Sequence, residues 1–185
     1  MNKPYIALIR CKFKNVISTC RRQYLKYLGL KIGTGGTIGE IICEWPHNVI
    51  IGSDCTIQDR VRFDVKNPFS GNNFISIGNR VFLGYECAFN CTATIFIGDD
   101  CLIANRTTFV DISHTIALGT VIHEQPIISS AIVIEQDVWV GTGSIILKGV
   151  TIGKGSIIGA GSLVNKSIPA YQMWAGSPAR YIRDR

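Results

Sequence analysis

Aliphatic residues return at every sixth position through the second half of the chain, and the residues between them keep the same spacing. From Ile134 to Val164 the sequence is IEQDVWVGTGSIILKGVTIGKGSIIGAGSLV, with aliphatic residues at Ile134, Val140, Ile146, Ile152, Ile158 and Val164. A small residue stands four positions after each of the first five: Val138, Ser144, Val150, Ser156 and Ser162. A period of six matches neither an α-helix nor a long alternating strand, so it predicts a short strand followed by a turn.

A strand-and-turn unit of this size cannot bury its aliphatic residue alone. Three units that close one triangular coil direct three aliphatic side chains inward, and the next coil covers them. Backbone pairing between coils roughly 4.8 Å apart makes the sheets parallel, and about six coils give a prism roughly 30 Å tall. Glycine often follows the aliphatic residue, as at Gly141 and Gly153, and we expect these glycines to turn the corners with positive φ.

The repeat divides the chain into three parts. Residues 1–31 form a basic helical segment, residues 32–168 a β-helix, and residues 169–185 a tail. Within the β-helix, the pattern is interrupted by a loop that contains Trp45, Pro46 and His47 and by residues 64–74, and a longer insertion spans residues 110–131. A long loop inside a regular scaffold is typical of a functional site, and this one holds His114 and His123, two of only three histidines.

The amino-terminal segment carries all of the net positive charge. Residues 1–31 contain eight basic and no acidic residues, whereas the remainder has 11 basic and 13 acidic residues, a net charge of −2. Because the basicity is local, a nucleic-acid surface is not expected. The apolar residues Ile6, Ile9, Phe13, Ile17, Cys20, Tyr24 and Leu28 are spaced for one helical face. We favour packing of this face on the prism or on a neighbouring subunit over peripheral contact with a membrane.

Composition and cysteine spacing limit the remaining classes of protein to which the chain could belong. The chain is 46% hydrophobic and 17% charged, which is typical of a globular domain. No apolar run is long enough to span a bilayer or to form a signal-peptide core. Cys55, Cys87 and Cys101 occupy the position that small residues take elsewhere in the repeat. An odd count of seven cysteines without a C-x-x-C pair favours free thiols in a reducing cytoplasm.

The second half of the chain also resembles a known family. The run DVWVGTGSIILKGVTIGKGSIIGAGSLVNKSIPAYQMWAGSPARYIR is similar to the maltose and galactoside O-acetyltransferases and to the acetyltransferases that decorate capsule, exopolysaccharide and O-antigen sugars. The resemblance implies an all-β fold, a left-handed parallel β-helix of hexapeptide repeats, in a homotrimer. Because Thr115 follows the histidine where the maltose enzymes have proline, the match favours the polysaccharide-decorating branch.

The resemblance assigns residues to a donor site for acetyl-CoA. Matching positions imply that Trp139, Gly141 and Ala160 border the thioester and the pantetheine arm. The basic residues Lys166, Arg180 and Arg183 match those near the nucleotide end of coenzyme A, where phosphates require cations or forked donors.

The resemblance also assigns residues to the chemistry. His114 matches the general base, and the backbone N–H of Thr142 matches the donor to the carbonyl oxygen. Asp111 has two interpretations, a carboxylate that orients His114 or a solvated residue at the start of the loop. Asn90 likewise either contacts the acceptor sugar or replaces glycine at a position that requires positive φ. No metal is required.

The resulting prediction is an O-acetyltransferase that moves an acetyl group from acetyl-CoA to a sugar hydroxyl. We expect it in the cytoplasm, at the inner membrane face if the helix binds lipid. N-acetylation of an amino sugar is the nearest alternative, and a non-catalytic β-helix module is the second. A zinc enzyme on the same scaffold needs three converging histidines, and His47 lies several coils from the loop. The sequence does not identify the acceptor sugar.

Overall fold

The molecule consists of three flat faces of parallel strands. The computed structural model describes residues 3–71 and 73–185, with side chains described from residue 12 onward. Face A contains β1 (Lys31–Ile32), β4 (Val49–Ile51), β7 (Phe74–Ile77), β10 (Thr94–Ile97), β15 (Ile132–Ile134) and β18 (Thr151–Ile152). Face B contains β2 (Thr37–Ile38), β5 (Thr56–Ile57), β8 (Phe82–Leu83), β11 (Leu102–Ile103), β16 (Trp139–Val140) and β19 (Ile157–Ile158). Face C contains β3 (Ile42–Cys43), β6 (Arg62–Val65), β9 (Ala88–Cys91), β12 (Thr108–Val110), β17 (Ile145–Leu147) and β20 (Leu163–Val164).

Four further elements are attached to this prism. The helix α1 (Lys3–Tyr27) precedes it, and the antiparallel hairpin of β13 (Ile112–His114) and β14 (Ile127–Ser129) projects between two coils. At the other end, β21 (Gln172–Ala175) adds to face B, and β22 (Arg180–Asp184) pairs antiparallel with it. Short 3-10 turns lie at Pro46–Asn48 and Ile122–Glu124. The three six-stranded stacks confirm the predicted six coils.

The core follows the predicted six-residue register. The repeat aliphatics from Ile134 to Val164 are almost fully buried, and so are the small residues four positions after them. Inside face C the rings of Phe63, Phe89 and Phe109 stack on successive coils, with centroids 5.1 and 4.7 Å apart. Cys87 fills one of the small-residue positions, and burial raises the pKa of its thiol to about 11. The six cysteines whose side chains are described are free thiols.

The glycines that follow the aliphatic residues have a different role from the one predicted. Gly141 does not adopt positive φ; a Cβ at this position would lie 2.5 Å from the backbone nitrogen of Ala160 in the next coil. Positive φ occurs two positions later, at Gly143 (φ 71°) and at residues such as Arg106 (φ 59°). Close approach of the next coil therefore favours glycine at position 141, and the left-handed turn is a separate position.

The helix α1 covers the amino-terminal end of the prism, but not with the predicted face. Leu25 joins the core, and the hydroxyl of Ser18 accepts a hydrogen bond from the backbone nitrogen of Ile38 at 2.7 Å. The predicted face stays in solvent, with Phe13 65% and Tyr24 62% exposed. Ile6 and Ile9 lie outside the residues with described side chains. Within the described residues, no helix is long and apolar enough to cross a membrane.

Candidate active site

The corner between faces B and C places three of the predicted residues together. Trp139 lies on the outside of β16 and is 51% exposed, since the strand alternation directs its neighbour Val140 inward. Thr142 follows at the exposed turn, and Ala160 occupies the same position one coil later. A Cβ on Gly143 or Gly161 would meet nothing within 4 Å, so the outer side of this corner is open. An extended ligand has room to lie along it.

The backbone amides at this corner differ between coils in whether a side chain accepts their hydrogen bond. In earlier coils, Asp59 accepts a hydrogen bond from the Glu40 amide at 2.7 Å, and Asn105 accepts one from the Tyr85 amide at 3.0 Å. Above Thr142 stands Ala160, whose side chain has no acceptor. Within the described parts of the chain, the Thr142 amide has no hydrogen-bond partner. An amide in this state can donate to a ligand oxygen, as the prediction for Thr142 requires.

The hairpin that carries His114 is internally braced. His114 ends β13 opposite Ile127, and its side chain is exposed. At the tip, the amide group of Gln125 accepts from the backbone nitrogen of Ala117 at 2.8 Å and donates to the carbonyls of Ala117 and Thr120 at 2.9 and 2.8 Å. Sequence reasoning missed Gln125, because a loop residue without periodicity gives no signal of such a network. The hairpin therefore presents the imidazole on a defined backbone.

Asp111 has neither of its predicted roles. Its side chain is 0% exposed, which excludes the solvated interpretation. Its carboxylate accepts hydrogen bonds from the backbone nitrogens of Thr92, at 2.8 and 2.9 Å, and Ala93, at 2.8 Å, rather than from His114. Burial raises the pKa of Asp111, and the two amides oppose this effect. The backbone carbonyl of Asp111 also accepts a hydrogen bond from the backbone nitrogen of Ser130 at 2.9 Å. Asp111 therefore connects both ends of the insertion to the prism.

Asn90 lies beside this fastening point. Its neighbours Phe89 and Cys91 point into the core, so Asn90 faces outward from face C, between Asp64 and Val110 of the adjoining coils. It lies in a regular strand and does not have positive φ, which excludes the glycine-replacement interpretation. An acceptor contact remains its predicted role.

Within one chain, His114 and Thr142 lie at opposite edges of face C. Thr108 pairs with Ile145 and Val110 with Leu147, so the two strands run side by side. Thr142 precedes the first of these pairs, whereas the hairpin leaves after the last. A strand of three residues spans roughly 10 Å. The structure therefore does not unite the predicted base and the predicted amide donor in one protomer.

The predicted nucleotide end of the donor site is a set of free cations. Lys166 follows β20, and Arg180 and Arg183 lie on β22; all three are exposed. Among the described residues none of the three forms an ion pair, in contrast to Arg185, which binds Asp137 at 2.8 Å. Unpaired cations at an exposed edge suit phosphate groups. His123, the other histidine of the insertion, is exposed beside Glu124.

Comparisons with known proteins agree with this architecture. Residues 131–166 match a model described as bacterial transferase hexapeptide (six repeats), and residues 74–105 match one described as hexapeptide repeat of succinyl-transferase. The probable acetyltransferase Rv3034c of Mycobacterium tuberculosis is 29% identical over 183 residues, which are 98% of this chain. The chain spans only 56% of the length of that relative.

Solved structures share the fold. A hexapeptide-repeat acetyltransferase of Vibrio cholerae, VCA0836, complexed with acetyl coenzyme A, has a TM-score of 0.65 and 26% identity, covering 96% of this chain and 84% of its own. AntD of Bacillus cereus, an N-acyltransferase in complex with dTDP-4-amino-4,6-dideoxyglucose and coenzyme A, has a TM-score of 0.75 and 21% identity, covering 89% and 88%.

These matches agree with the fold. Two stretches of the chain resemble the hexapeptide repeats of transferases, and the fold is a left-handed parallel β-helix. The particular resemblance predicted from the sequence, to hexapeptide-repeat acyltransferases, is confirmed.

Proposed function

We propose that this protein transfers an acetyl group from acetyl-CoA to a hydroxyl group of a sugar, in a surface polysaccharide or its precursor. The observation that carries the proposal is the similarity to VCA0836, whose structure contains acetyl coenzyme A. This similarity extends over 96% of the present chain. Three observations agree with it: the corner of faces B and C is open, the Thr142 amide is free, and the exposed, unpaired Arg180 and Arg183 lie on β22, which extends the sheet of face B. Since acetyl-CoA is a cytoplasmic metabolite, we place the reaction in the cytoplasm.

The donor would lie along the corner of faces B and C. Its thioester fits beside Trp139 and the free amide of Thr142, and its pantetheine arm fits along Gly143, Ala160 and Gly161. The phosphates would then reach Lys166, Arg180 and Arg183, where forked guanidinium donors bind phosphate oxygens. The residues present therefore match the chemistry of coenzyme A at each end of the site.

The reaction needs one proton transfer and one exchange of bonds. His114 takes the proton of the acceptor hydroxyl, and the alkoxide attacks the thioester carbonyl carbon. The Thr142 amide donates to the oxygen, which becomes negatively charged in the tetrahedral intermediate. The carbon–sulfur bond then breaks, the histidinium returns its proton to the departing thiolate, and the acetyl ester and coenzyme A are released.

The site is complete only between subunits, and we propose a homotrimer. His114 and Thr142 of one chain lie at opposite edges of face C. The hairpin also exposes large apolar side chains, with Ile116 79% and Leu118 101% exposed, as expected for a surface that a second chain covers. In a cyclic trimer of parallel prisms, the hairpin of one subunit can place His114 beside Thr142 of the next.

N-acetylation of an amino sugar is the second candidate. AntD, which shares the fold, is an N-acyltransferase in complex with an amino sugar nucleotide, and a base beside a thioester can deprotonate an amine as well as a hydroxyl. The two reactions differ in their products, an ester in one case and an amide in the other.

A screen of acceptors tests the proposal. Purified full-length protein is incubated with acetyl-CoA and a panel of sugars, amino sugars, nucleotide sugars and glycan fragments, and free thiol release is followed. The proposal predicts an acetylated sugar that hydroxylamine cleaves, because hydroxylamine cleaves esters and leaves amides intact. A hydroxylamine-resistant product would instead establish N-acetylation. Binding of acetyl-CoA without transfer to any acceptor would support the non-catalytic module.

A further inference from the structure

The outward side of α1 is an exposed apolar surface, of which only Ile17 borders the cavity between the helix and the prism. One helical face carries Phe13, Val16, Ile17, Tyr24 and Tyr27, with exposures of 65%, 61%, 45%, 62% and 87%. We call this set the α1 surface. Successive members are three, one, seven and three residues apart, and at about 100° per residue they fall within a sector of about 100°, which places them on one side of the helix. Soluble proteins rarely leave such a surface uncovered without a binding role.

The helix is fixed to the prism by other residues. Leu25 packs in the core, and Ser18 bonds the Ile38 backbone. The Arg22 guanidinium donates to the carbonyls of Gly35 and Gly36, and Arg21 lies 3.8 Å from Asp59. Turning the helix to bury the α1 surface would break all of these contacts. The orientation that exposes the apolar side chains is therefore the one that the packing supports.

Positive charge flanks the α1 surface on both sides. Lys12 and Lys26 lie on one flank by helical spacing and Lys14 on the other, and all three are exposed. The first acidic residue of the chain is Glu40, so no carboxylate on the helix offsets these charges. The two tyrosines have amphipathic rings, which suit the boundary between headgroups and acyl chains.

We propose that the α1 surface binds an anionic phospholipid membrane peripherally. The apolar side chains would enter the headgroup boundary while the flanking lysines contact lipid phosphates. A second copy of the chain fits this surface less well, because paired α1 helices would bring two cationic segments together without a counter-charge. The proposal does not rest on the acetyltransferase activity. It does predict where that activity occurs, namely at the membrane face.

Vesicle co-sedimentation tests the contact with the full-length protein. The protein is expected to sediment with vesicles of phosphatidylcholine and phosphatidylglycerol, to remain in solution with phosphatidylcholine alone, and to be released by high salt. Neutralising each lysine, as in Lys12→Gln and Lys26→Gln, should weaken partitioning about fivefold per residue. Phe13→Ser with Tyr24→Ser should abolish binding even at low salt.

Matched controls lie elsewhere on the surface. Phe69 is 81% exposed, and Lys66 is exposed, so Phe69→Ser and Lys66→Gln remove the same groups away from α1. These variants should bind vesicles as the unmodified protein does. Acetyl transfer to a soluble acceptor should be unchanged in the α1 variants, which separates a failed membrane contact from a failed enzymatic proposal.

Two results would overturn the proposal. Equal sedimentation with neutral and anionic vesicles, or none with either, excludes an electrostatic membrane contact. A fall in native molecular mass on Phe13→Ser with Tyr24→Ser, measured by light scattering without lipid, would show that the α1 surface is instead covered by a second copy.

Discussion

Individual residues in the candidate site divide into those that the repeat positions and those that the insertion positions. Trp139, Thr142 and Ala160 keep fixed places in the six-residue register, so their common corner follows from counting along the chain. His114 and Asp111 lie in the insertion, where the register ends. Their partners come from residues distant in sequence, which spacing does not reveal. Asp111 binds backbone amides rather than His114, and the role of the exposed His114 as a base stays a prediction.

The base is the first residue to test. His114→Ala should lower turnover roughly 10²–10⁴-fold, because a positioned general base contributes that factor. Steady-state assays measure the change, and circular dichroism with size-exclusion chromatography verifies folding. His123→Ala removes the other exposed histidine of the same loop and should have near-normal activity. Equal losses in both variants would indicate damage to the loop and not loss of a base.

The cations at the carboxyl end should affect binding more than chemistry. Arg180→Ala with Arg183→Ala is expected to raise the KM for acetyl-CoA about tenfold or more and to leave kcat nearly unchanged, since distant phosphates are held alike in ground and transition states. Arg60→Ala removes an exposed arginine that is paired with Glu86 and serves as the control. If the KM for acetyl-CoA stayed constant, the two arginines would have no role in donor binding.

At the scale of elements, the strands of the prism were predictable from the sequence, but the packing of α1 against the prism was not. The aliphatic period gave the number of coils and their core residues, because each buried position repeats with its neighbours. The helix was predictable as a helix, but its apolar pattern showed which side is hydrophobic rather than which side is covered. Ser18 and Leu25 decide the packing through contacts with the first coil, and no periodicity marks them.

The fastening of the insertion can be tested through Asp111. Asp111→Ala leaves the amides of Thr92 and Ala93 without their acceptor and should cost about 1–3 kcal/mol in free energy of unfolding. Hydrogen exchange should accelerate at these two amides and in the hairpin. Asp64→Ala removes a half-buried carboxylate 3.8 Å from Arg62, a weak ion pair, and should change stability less than Asp111→Ala does. Unaltered exchange in the hairpin of the Asp111 variant would contradict the fastening role.

For the whole molecule, the regular prism aligns equivalent corners and faces of successive coils, and under the proposed assembly the chemistry depends on contacts between prisms. The sequence contains the repeat that builds one prism. The relation between prisms depends on exposed side chains such as Ile116 and Leu118, whose partners lie on another chain under the proposed assembly. A pattern internal to one chain carries no spacing for that contact, so the proposed trimer rests on the family resemblance and not on the repeat.

Mixed trimers test whether sites lie between subunits. His114→Ala lacks the base, and Ala160→Trp should block the donor corner at an exposed position that tolerates a larger side chain. Each variant alone should be inactive, but co-assembly should restore activity at about a quarter of the sites, because each site draws the two residues from different chains. Unmixed samples combined after purification serve as the control. No recovery in verified mixed trimers would place both residues of a site in one chain.

The separation of His114 from Thr142 across face C has a kinetic consequence under the proposed assembly. The catalytic unit is then a junction between chains, and a lone chain is folded but inert. The number of junctions rises faster than the first power of chain concentration wherever association is incomplete. Specific activity would thus fall on dilution without any unfolding. In a cell, the rate of acetylation would rise more than proportionally with the concentration of this protein.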